Sequence, residues 1–318
     1  MDSHEALEWD ESTSKLPPVT AEGASVVLKN STGDAVDAQR LEARIAATRG
    51  VERVTRLHVH PSSQISNLGF LRALPSVESL NVEGLQLQTL DGIDGFRRGR
   101  SLRIDTGRNK SRELVALASR SLEKLDLAYS KPSDLISVAR MRGLRELMIG
   151  NCPPLEMSML AALPLEVLQL FGGTLEVLAD TSSIPTLRQL TLFGCNKISR
   201  FEGNNCAVTW MVVQRCPSVD WRTITTFSAL EHLTIVSGKN IRLAHFAGMP
   251  ALKNLSFQNC KFEPEPLNLK DKAAGLEEIF VSSLKGEVAA ALSAANPGVL
   301  ISTNKGSFRD GRVDAAAS

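Results

Sequence analysis

A short string of alternating apolar positions recurs along most of the chain. It reads apolar-x-x-apolar-x-apolar, where x is mostly polar. Alternation with a period of two is typical of a short strand that buries one face, so each copy predicts one strand. The clear copies are VTRLHV, VESLNV, LEKLDL, LRELMI, LEVLQL, LRQLTL, VTWMVV, LEHLTI, LKNLSF and LEEIFV, and a weaker copy, GRSLRI, begins at Gly99.

The copies are evenly spaced. Counted at the fourth position of each string, successive copies lie 21 to 24 residues apart. A nearly constant period of this length indicates structural repeats that stack on one another. The fourth positions are Leu57, Leu80, Leu102, Leu125, Leu147, Leu168, Leu190, Met211, Leu233, Leu255 and Ile279.

This pattern resembles the leucine-rich repeat family, in its short-period, cysteine-containing form. The resemblance covers residues 54–303, as about 11 repeats followed by a terminal strand. It implies an α/β fold, a curved horseshoe-shaped solenoid. One continuous parallel β-sheet would form its concave face, and short helices or turns its convex face. The turn from Cys195 to Ile198 is similar to that of cytosolic members of the family.

Each repeat offers about five apolar core positions and cannot close a core alone, so stacking must bury them. The sequence therefore predicts one array rather than two domains. We expect a flexible tail over 1–22, a strand–helix cap over 23–53, the solenoid over 54–303 and a flexible tail over 304–318. Within the cap, 25–29 reads as a strand, and Asp34 is expected to cap a helix that stops at Gly50. Near the other end, 285–295 reads as a helix and 299–303 as the final strand.

Composition narrows the class of partner. The 318 residues carry 36 Lys and Arg against 35 Asp and Glu, a formal net charge of +1. Such a balance predicts no general attraction to nucleic acid or to anionic lipid. The N-terminus lacks the order of a secretory signal, which favours a cytoplasmic protein, although export by a non-classical route stays open.

Four of the five cysteines share one place in the repeat, five residues beyond the fourth position. A linear ladder does not converge on a metal, and no C-x-x-C motif occurs, so we expect reduced, buried thiols without metal or disulfide. Cys195 and Cys216 lie in adjacent coils, which leaves a disulfide between them as an alternative. The four are Cys152, Cys195, Cys216 and Cys260.

One corner of the predicted sheet has the residue types of a metal or hydrolytic site. His58 and His60 lie on one face of a strand, and Glu83 and Asp105 follow on the next two coils at roughly 4.8 Å per step. A solvated polar face is the simpler interpretation, and a metal-binding or hydrolytic site is the alternative.

The third, fifth and seventh positions of each strand point away from the core, into the predicted concave face. Apolar residues at such positions have no packing reason to be there, and they match the apolar centre of a protein interface. Phe171, Phe193 and Trp210 are expected to form one aromatic patch. The candidate partner-binding residues are Met148, Val167, Phe171, Phe193, Trp210, Val212, His232 and Val236.

The sequence thus predicts a non-enzymatic protein-binding module without cofactor or metal. None of the phosphate-loop, nucleophile-elbow or zinc-protease motifs occurs. A bacterial effector or toxin-neutralising protein is a hypothesis by analogy, and a purely structural scaffold is a third interpretation.

Overall fold

The computed structural model describes residues 6–83, 87–105, 114–117, 121–263 and 268–314. The chain divides into two compact units. Both units are built from the same repeat, in which each coil buries its apolar residues against the next coil. Because such packing is local, contacts concentrate among neighbouring coils. The first unit is Met1–Gly150 with Ala162–Pro164, and the second is Asn151–Ala161 with Leu165–Ser318.

The first unit contains seven strands that pair in parallel and in chain order. The predicted strings form the strands from β3 onwards, including the weak copy at Gly99. The strands are β1 (Leu7–Asp10), β2 (Ala24–Lys29), β3 (Val54–Val59), β4 (Ser79–Val82), β5 (Ser101–Ile104), β6 (Lys124–Leu127) and β7 (Glu146–Gly150). Its helices are α1 (Ala38–Ala46) and α2 (Pro132–Val138), with 3-10 turns at Val51–Arg53, Gly69–Ala73, Ile93–Gly95 and Leu114–Leu117.

The N-terminal segment differs from the predicted tail, because it adds β1 to the sheet beside β2. Trp9 is fully buried, and its indole Nε1 donates to the Pro17 carbonyl over 3.2 Å. Glu11 is 1% exposed and accepts hydrogen bonds from the Ser63 hydroxyl and the Gln64 amide. A terminal coil would otherwise leave its apolar face in water, and this segment covers it.

The cap helix α1 starts later than predicted. Asp37, not Asp34, is its N-cap, and the Asp37 carboxylate accepts from the amides of Gln39 (2.8 Å) and Arg40 (3.1 Å). A side-chain acceptor at this position satisfies the first free amides of a helix. Leu41 and Ile45 then form its buried stripe.

The second unit repeats the same strand and adds two short outer pairs. The main strands run in the order β8-β10-β12-β13-β15-β17-β18-β19-β20, parallel as far as β18. The pairs β9–β11 and β14–β16 lie in the return segments. The strands are β8 (Val167–Phe171), β9 (Val177–Leu178), β10 (Gln189–Phe193), β11 (Arg200–Phe201), β12 (Trp210–Gln214), β13 (His232–Val236), β14 (Ile241–Arg242), β15 (Asn254–Gln258), β16 (Phe262–Glu263), β17 (Glu278–Val281), β18 (Leu300–Thr303), β19 (Gly306–Arg309) and β20 (Arg312–Val313). Helix α3 (Gly286–Ala295) and 3-10 turns at Met157–Leu160, Trp221–Thr226 and Leu243–Phe246 complete it.

The C-terminal segment also differs from the predicted tail. Strand β19 folds back antiparallel onto β18, with Phe308 opposite Ile301, and β20 pairs antiparallel with β19. β19 thus covers the edge that β18 would otherwise expose, and the two-residue β20 leaves only a short outer edge.

The core follows the repeat. The fourth and sixth positions of the strands are buried throughout the described strings. The predicted core residues of the return segments are buried as well. They are Ile65, Leu87, Leu155, Leu175, Ile198, Val219 and Ile241 in the first part of the segment, and Leu74, Phe96, Met141, Leu163, Ile184, Phe227 and Met249 in the second. The predicted core side chain of Phe262 lies outside the described part of the structure. Among the described residues, no helix combines the length and the apolar character needed to cross a membrane.

Replacing Trp9 tests the N-terminal segment. Because the ring is fully buried, Trp9→Ala should lower the free energy of unfolding by about 3–5 kcal/mol, measured by urea denaturation. The matched control on the same strand is Glu8→Ala, whose exposed ion pair with Lys29 should contribute less than about 1 kcal/mol. Equal effects of the two substitutions would contradict the packed strand β1.

Candidate functional site

Outward-facing side chains of five neighbouring strands form one regular surface in the second unit. We call this surface the strand face, and it comprises the third, fifth and seventh repeat positions on β8, β10, β12, β13 and β15. The register is unbroken, so that Gln189 lies opposite Val167 and Trp210, and Thr191 lies opposite Val212. Residues at one repeat position therefore form rows across the strands, about 4.8 Å apart.

Seven of the eight predicted partner-binding residues lie on this strand face, and Met148 lies at the equivalent position of β7 in the first unit. Trp210 is 49% exposed, and Met148 and the other residues are partly exposed. Burial alternates along the strand of Trp210, since Met211 and Val213 are buried. The seven are Val167, Phe171, Phe193, Trp210, Val212, His232 and Val236.

The aromatic residues form two clusters, not the single patch that the sequence suggested. Phe171 and Phe193 pair at the carboxyl ends of their strands, with ring centroids 5.5 Å apart. Trp210 lies at the amino end of β12 and contacts His232, with centroids 5.3 Å apart. The third and seventh positions are separated by roughly 13 Å along a strand. The rings of Phe193 and Trp210 therefore lie at opposite ends of their strands, although the two strands are neighbours.

The Phe171–Phe193 pair has a cationic neighbour. The Arg215 guanidinium lies 5.7 Å from the centre of the Phe193 ring, a distance at which a cation is attracted to an aromatic face. The strand pattern does not predict Arg215, because this residue lies just beyond the end of its strand. The sequence feature that indicates it is a basic residue directly after β12, close to two outward-facing phenylalanines.

The Trp210–His232 cluster is held by polar contacts. The Nδ1 atom of His232 lies 2.9 Å from the side-chain Nδ2 of Asn254. The Nε2 atom of His232 lies 3.9 Å from a carboxylate oxygen of Glu231. Glu231 in turn binds the Lys253 ammonium at 2.7 Å, and this hydrogen bond and the lysine charge lower the pKa of the carboxyl group. The imidazole is thereby oriented against the indole.

The two histidines of the corner turn to different partners. His58 Nε2 lies 3.5 Å from Glu83, whereas His60 turns to the Ser62 hydroxyl at 2.9 Å. Burial opposes ionisation of Glu83, but the hydrogen bond from Asn81 and the charge of His58 hold the pKa of Glu83 below its usual value. Within the described ranges, no group of three or more His, Cys, Asp and Glu could hold a metal ion.

Cross-strand ion pairs line the same surface of the first unit. Arg103 pairs with Asp126 at 3.5 Å, and Lys124 pairs with Glu146 at 2.7 Å. Burial raises the pKa of Asp126, and Arg103 works against that rise. These cross-strand pairs support the solvated polar face that the sequence analysis preferred.

The cysteine column links neighbouring coils. The thiol of Cys195 donates to the Leu170 carbonyl at 3.3 Å, and the equivalent thiols of Cys216 and Cys260 donate to carbonyls of the strands before theirs. Cys152, Cys195 and Cys216 are buried as expected, whereas Cys260 is only half-buried. Burial raises the pKa of Cys152 to about 12.

Cys195 and Cys216 are free thiols in adjacent coils. The neighbouring Cys216 thiol and burial both raise the pKa of Cys195. The column thus satisfies backbone carbonyls as the chain leaves each strand.

No protein-family model matches the chain, and no curated protein matches it. Solved structures share its fold. An internalin (inlF) from Listeria monocytogenes is 15% identical with a TM-score of 0.55, over 92% of this chain and 87% of that one. A leucine-rich repeat protein from Leptospira interrogans is 12% identical with a TM-score of 0.52, over 83% and 69%. TLR13, in a complex with ssRNA13, is 13% identical with a TM-score of 0.58; 95% of this chain spans 55% of that one. At these identities the likeness shows the fold, a leucine-rich repeat solenoid.

Thiol reactivity tests the column. Cys206 is the exposed cysteine of the chain, so with Ellman's reagent at about pH 8 one thiol should react fast and the others slowly. Cys206→Ser should remove the fast phase and leave the slow phase unchanged. A second fast thiol in the Cys206→Ser variant would contradict the burial of the column.

Proposed function

We propose that this leucine-rich repeat chain is a non-enzymatic protein-binding module, and that the strand face of the second unit holds the partner. The observation that carries the proposal is the 49% exposure of Trp210 on a strand whose alternate residues are buried. An indole at an outward position contributes little to the core, and its exposed ring is a large apolar surface in water. A partner that covers the ring would remove this surface from water.

The surroundings of Trp210 support this role. Polar residues that carry no charge, such as Gln189, Thr191 and Thr234, separate the apolar ones on the strand face. Protein interfaces combine a few aromatic anchors with a polar surround, and their centre is depleted of charge. The paired rings of Phe171 and Phe193 provide a second anchor at the other end of the strands.

The overall charge favours a protein partner over a nucleic acid. TLR13 is seen with an RNA, but the present chain has a formal net charge of only +1. Nucleic-acid binding draws mainly on many phosphate contacts by Lys and Arg, which a balanced chain supplies less readily. A bacterial effector or toxin-neutralising role stays a prediction from analogy of fold.

Substitution of Trp210 tests the proposal. The immobilised chain should capture a discrete protein from a lysate of its source organism, and Trp210→Ala should weaken that capture about thirtyfold, as is common for an aromatic anchor. The melting temperature should stay nearly unchanged, because the ring lies outside the core.

The matched control is Ile136→Ala. Ile136 is 54% exposed and is thus another large exposed apolar residue, but it belongs to helix α2 of the first unit and not to the strand face. Its substitution should leave capture unchanged. Equal capture by the Trp210→Ala variant and the wild type would refute the proposed face, and a large loss of stability would show that Trp210 belongs to the core.

A further inference from the structure

Basic residues collect at one edge of the strand face. The four residues that follow each of β8, β10, β12, β13 and β15 include four Lys or Arg and no Asp or Glu. All four are exposed. We call them the basic rim: Lys197, Arg215, Lys239 and Lys261.

Among the residues that the structure describes, no carboxylate pairs with a rim cation. In the described part of the second unit, ion pairs occupy Arg200, Arg222, Lys253 and Arg309, but none of the rim. Cations without a carboxylate partner cost nothing in water, yet four of them along one edge produce a local positive potential. A ligand with negative charge would gain contacts there without breaking any existing pair.

The backbone holds the rim in place. The residue after each strand adopts a left-handed conformation and donates its amide to the end of the next strand, as Arg215 does to the Val236 carbonyl over 2.9 Å and Ser237 to the Gln258 carbonyl over 2.8 Å. The Trp221 indole donates to the Lys239 carbonyl, and the Lys261 amide donates to the Gly238 carbonyl. The rim is thus part of the repeat and not a mobile loop.

Arg215 has the left-handed backbone that is found after each of these strands. Its φ is 53°, the equivalent residues of the two preceding coils are Gly172 and Gly194, with φ of 59° and 63°, and those of the next two are Ser237 and Asn259, with φ of 57° and 52°. An L-residue is less stable than glycine in this region. Glycine at position 215 would therefore fit this backbone, so the guanidinium can be removed without straining the fold.

The rim adjoins the Phe171–Phe193 pair, since the Arg215 guanidinium lies over the Phe193 ring. An apolar surface and a row of cations thus meet at the carboxyl ends of the strands. The amino ends carry both signs, because Arg188 and Lys253 lie there beside Glu166 and Glu231, and Lys253 pairs with Glu231. The two ends are about 13 Å apart, more than the screening length of about 8 Å in physiological salt.

We propose that the rim and the phenylalanine pair bind an acidic peptide segment of the partner, with its carboxylates on the rim and an apolar side chain on the two rings. This inference rests on the proposed function and names the chemistry of the partner. Carboxylates at this edge meet the four rim cations, whereas the amino ends of the strands offer charges of both signs. The rim spans three strand steps, about 14 Å, which matches about five extended residues.

A synthetic peptide tests the inference on the full chain. The probe is a fluorescein-labelled octapeptide of glutamates with two central phenylalanines, followed by fluorescence anisotropy. Its dissociation constant should lie below about 1 mM and rise with salt. The same peptide with lysines in place of the glutamates should not bind, and the peptide with alanines in place of the phenylalanines should bind more weakly.

Two double variants that each remove two positive charges locate the binding. Arg215→Gly/Lys239→Ser should weaken the acidic peptide about tenfold. It should fold normally, because glycine suits the left-handed conformation. The control Lys15→Ser/Lys305→Ser changes exposed lysines far along the chain and should leave the affinity within about twofold.

Several results would overturn the inference: no binding of the acidic peptide, equal weakening by both double variants, or binding of an oligouridylate in its place. Capture of the partner by the two kinds of variant distinguishes a failure of this inference from a failure of the proposed function. Loss of capture by Trp210→Ala but not by Arg215→Gly/Lys239→Ser would keep the protein-binding strand face and reject the acidic segment. The opposite pattern would keep the acidic segment and reject Trp210 as the anchor.

Discussion

The structure depends on one constraint: a single coil cannot bury its own apolar residues. Each coil has about five of them and no second layer, so the next coil must cover them. Parallel backbone pairing brings successive coils into the same register, as in the pairing of Leu190 with Met211 and of Met211 with Leu233. Burial and hydrogen bonding therefore favour the same arrangement, and at the termini strands β1, β19 and β20 supply additional pairing and cover.

The same constraint separates folding from recognition. The core needs the fourth and sixth positions of a strand and leaves the third, fifth and seventh free to vary. Trp210, Phe193 and Arg215 can therefore change without a direct loss of core packing, while the register holds them at fixed positions. A surface of this kind is preorganised, which reduces the entropic cost of binding.

Sequence periodicity predicted the strands and the core because the pattern itself follows from burial. It could not predict features that depend on more than one repeat. The string LEWD is too short to indicate β1, and its role appears only when Trp9 packs against the first coils. Trp210 and Phe193 are on neighbouring strands, but they are separated because one lies at the start of its strand and the other at the end. Arg215 follows its strand, outside the positions that the pattern considers.

The central claim is that repeat position alone decides which side chains support the fold and which are available for a partner. An alanine scan along β12, from Met211 to Gln214, tests it most directly by urea denaturation. Met211 and Val213 are buried, so their substitution should lower the free energy of unfolding by about 2–5 and 1.5–3 kcal/mol. Val212 and Gln214 are partly exposed and should each contribute less than about 1 kcal/mol. An alternating series supports the account, and equal losses at all four positions would contradict it.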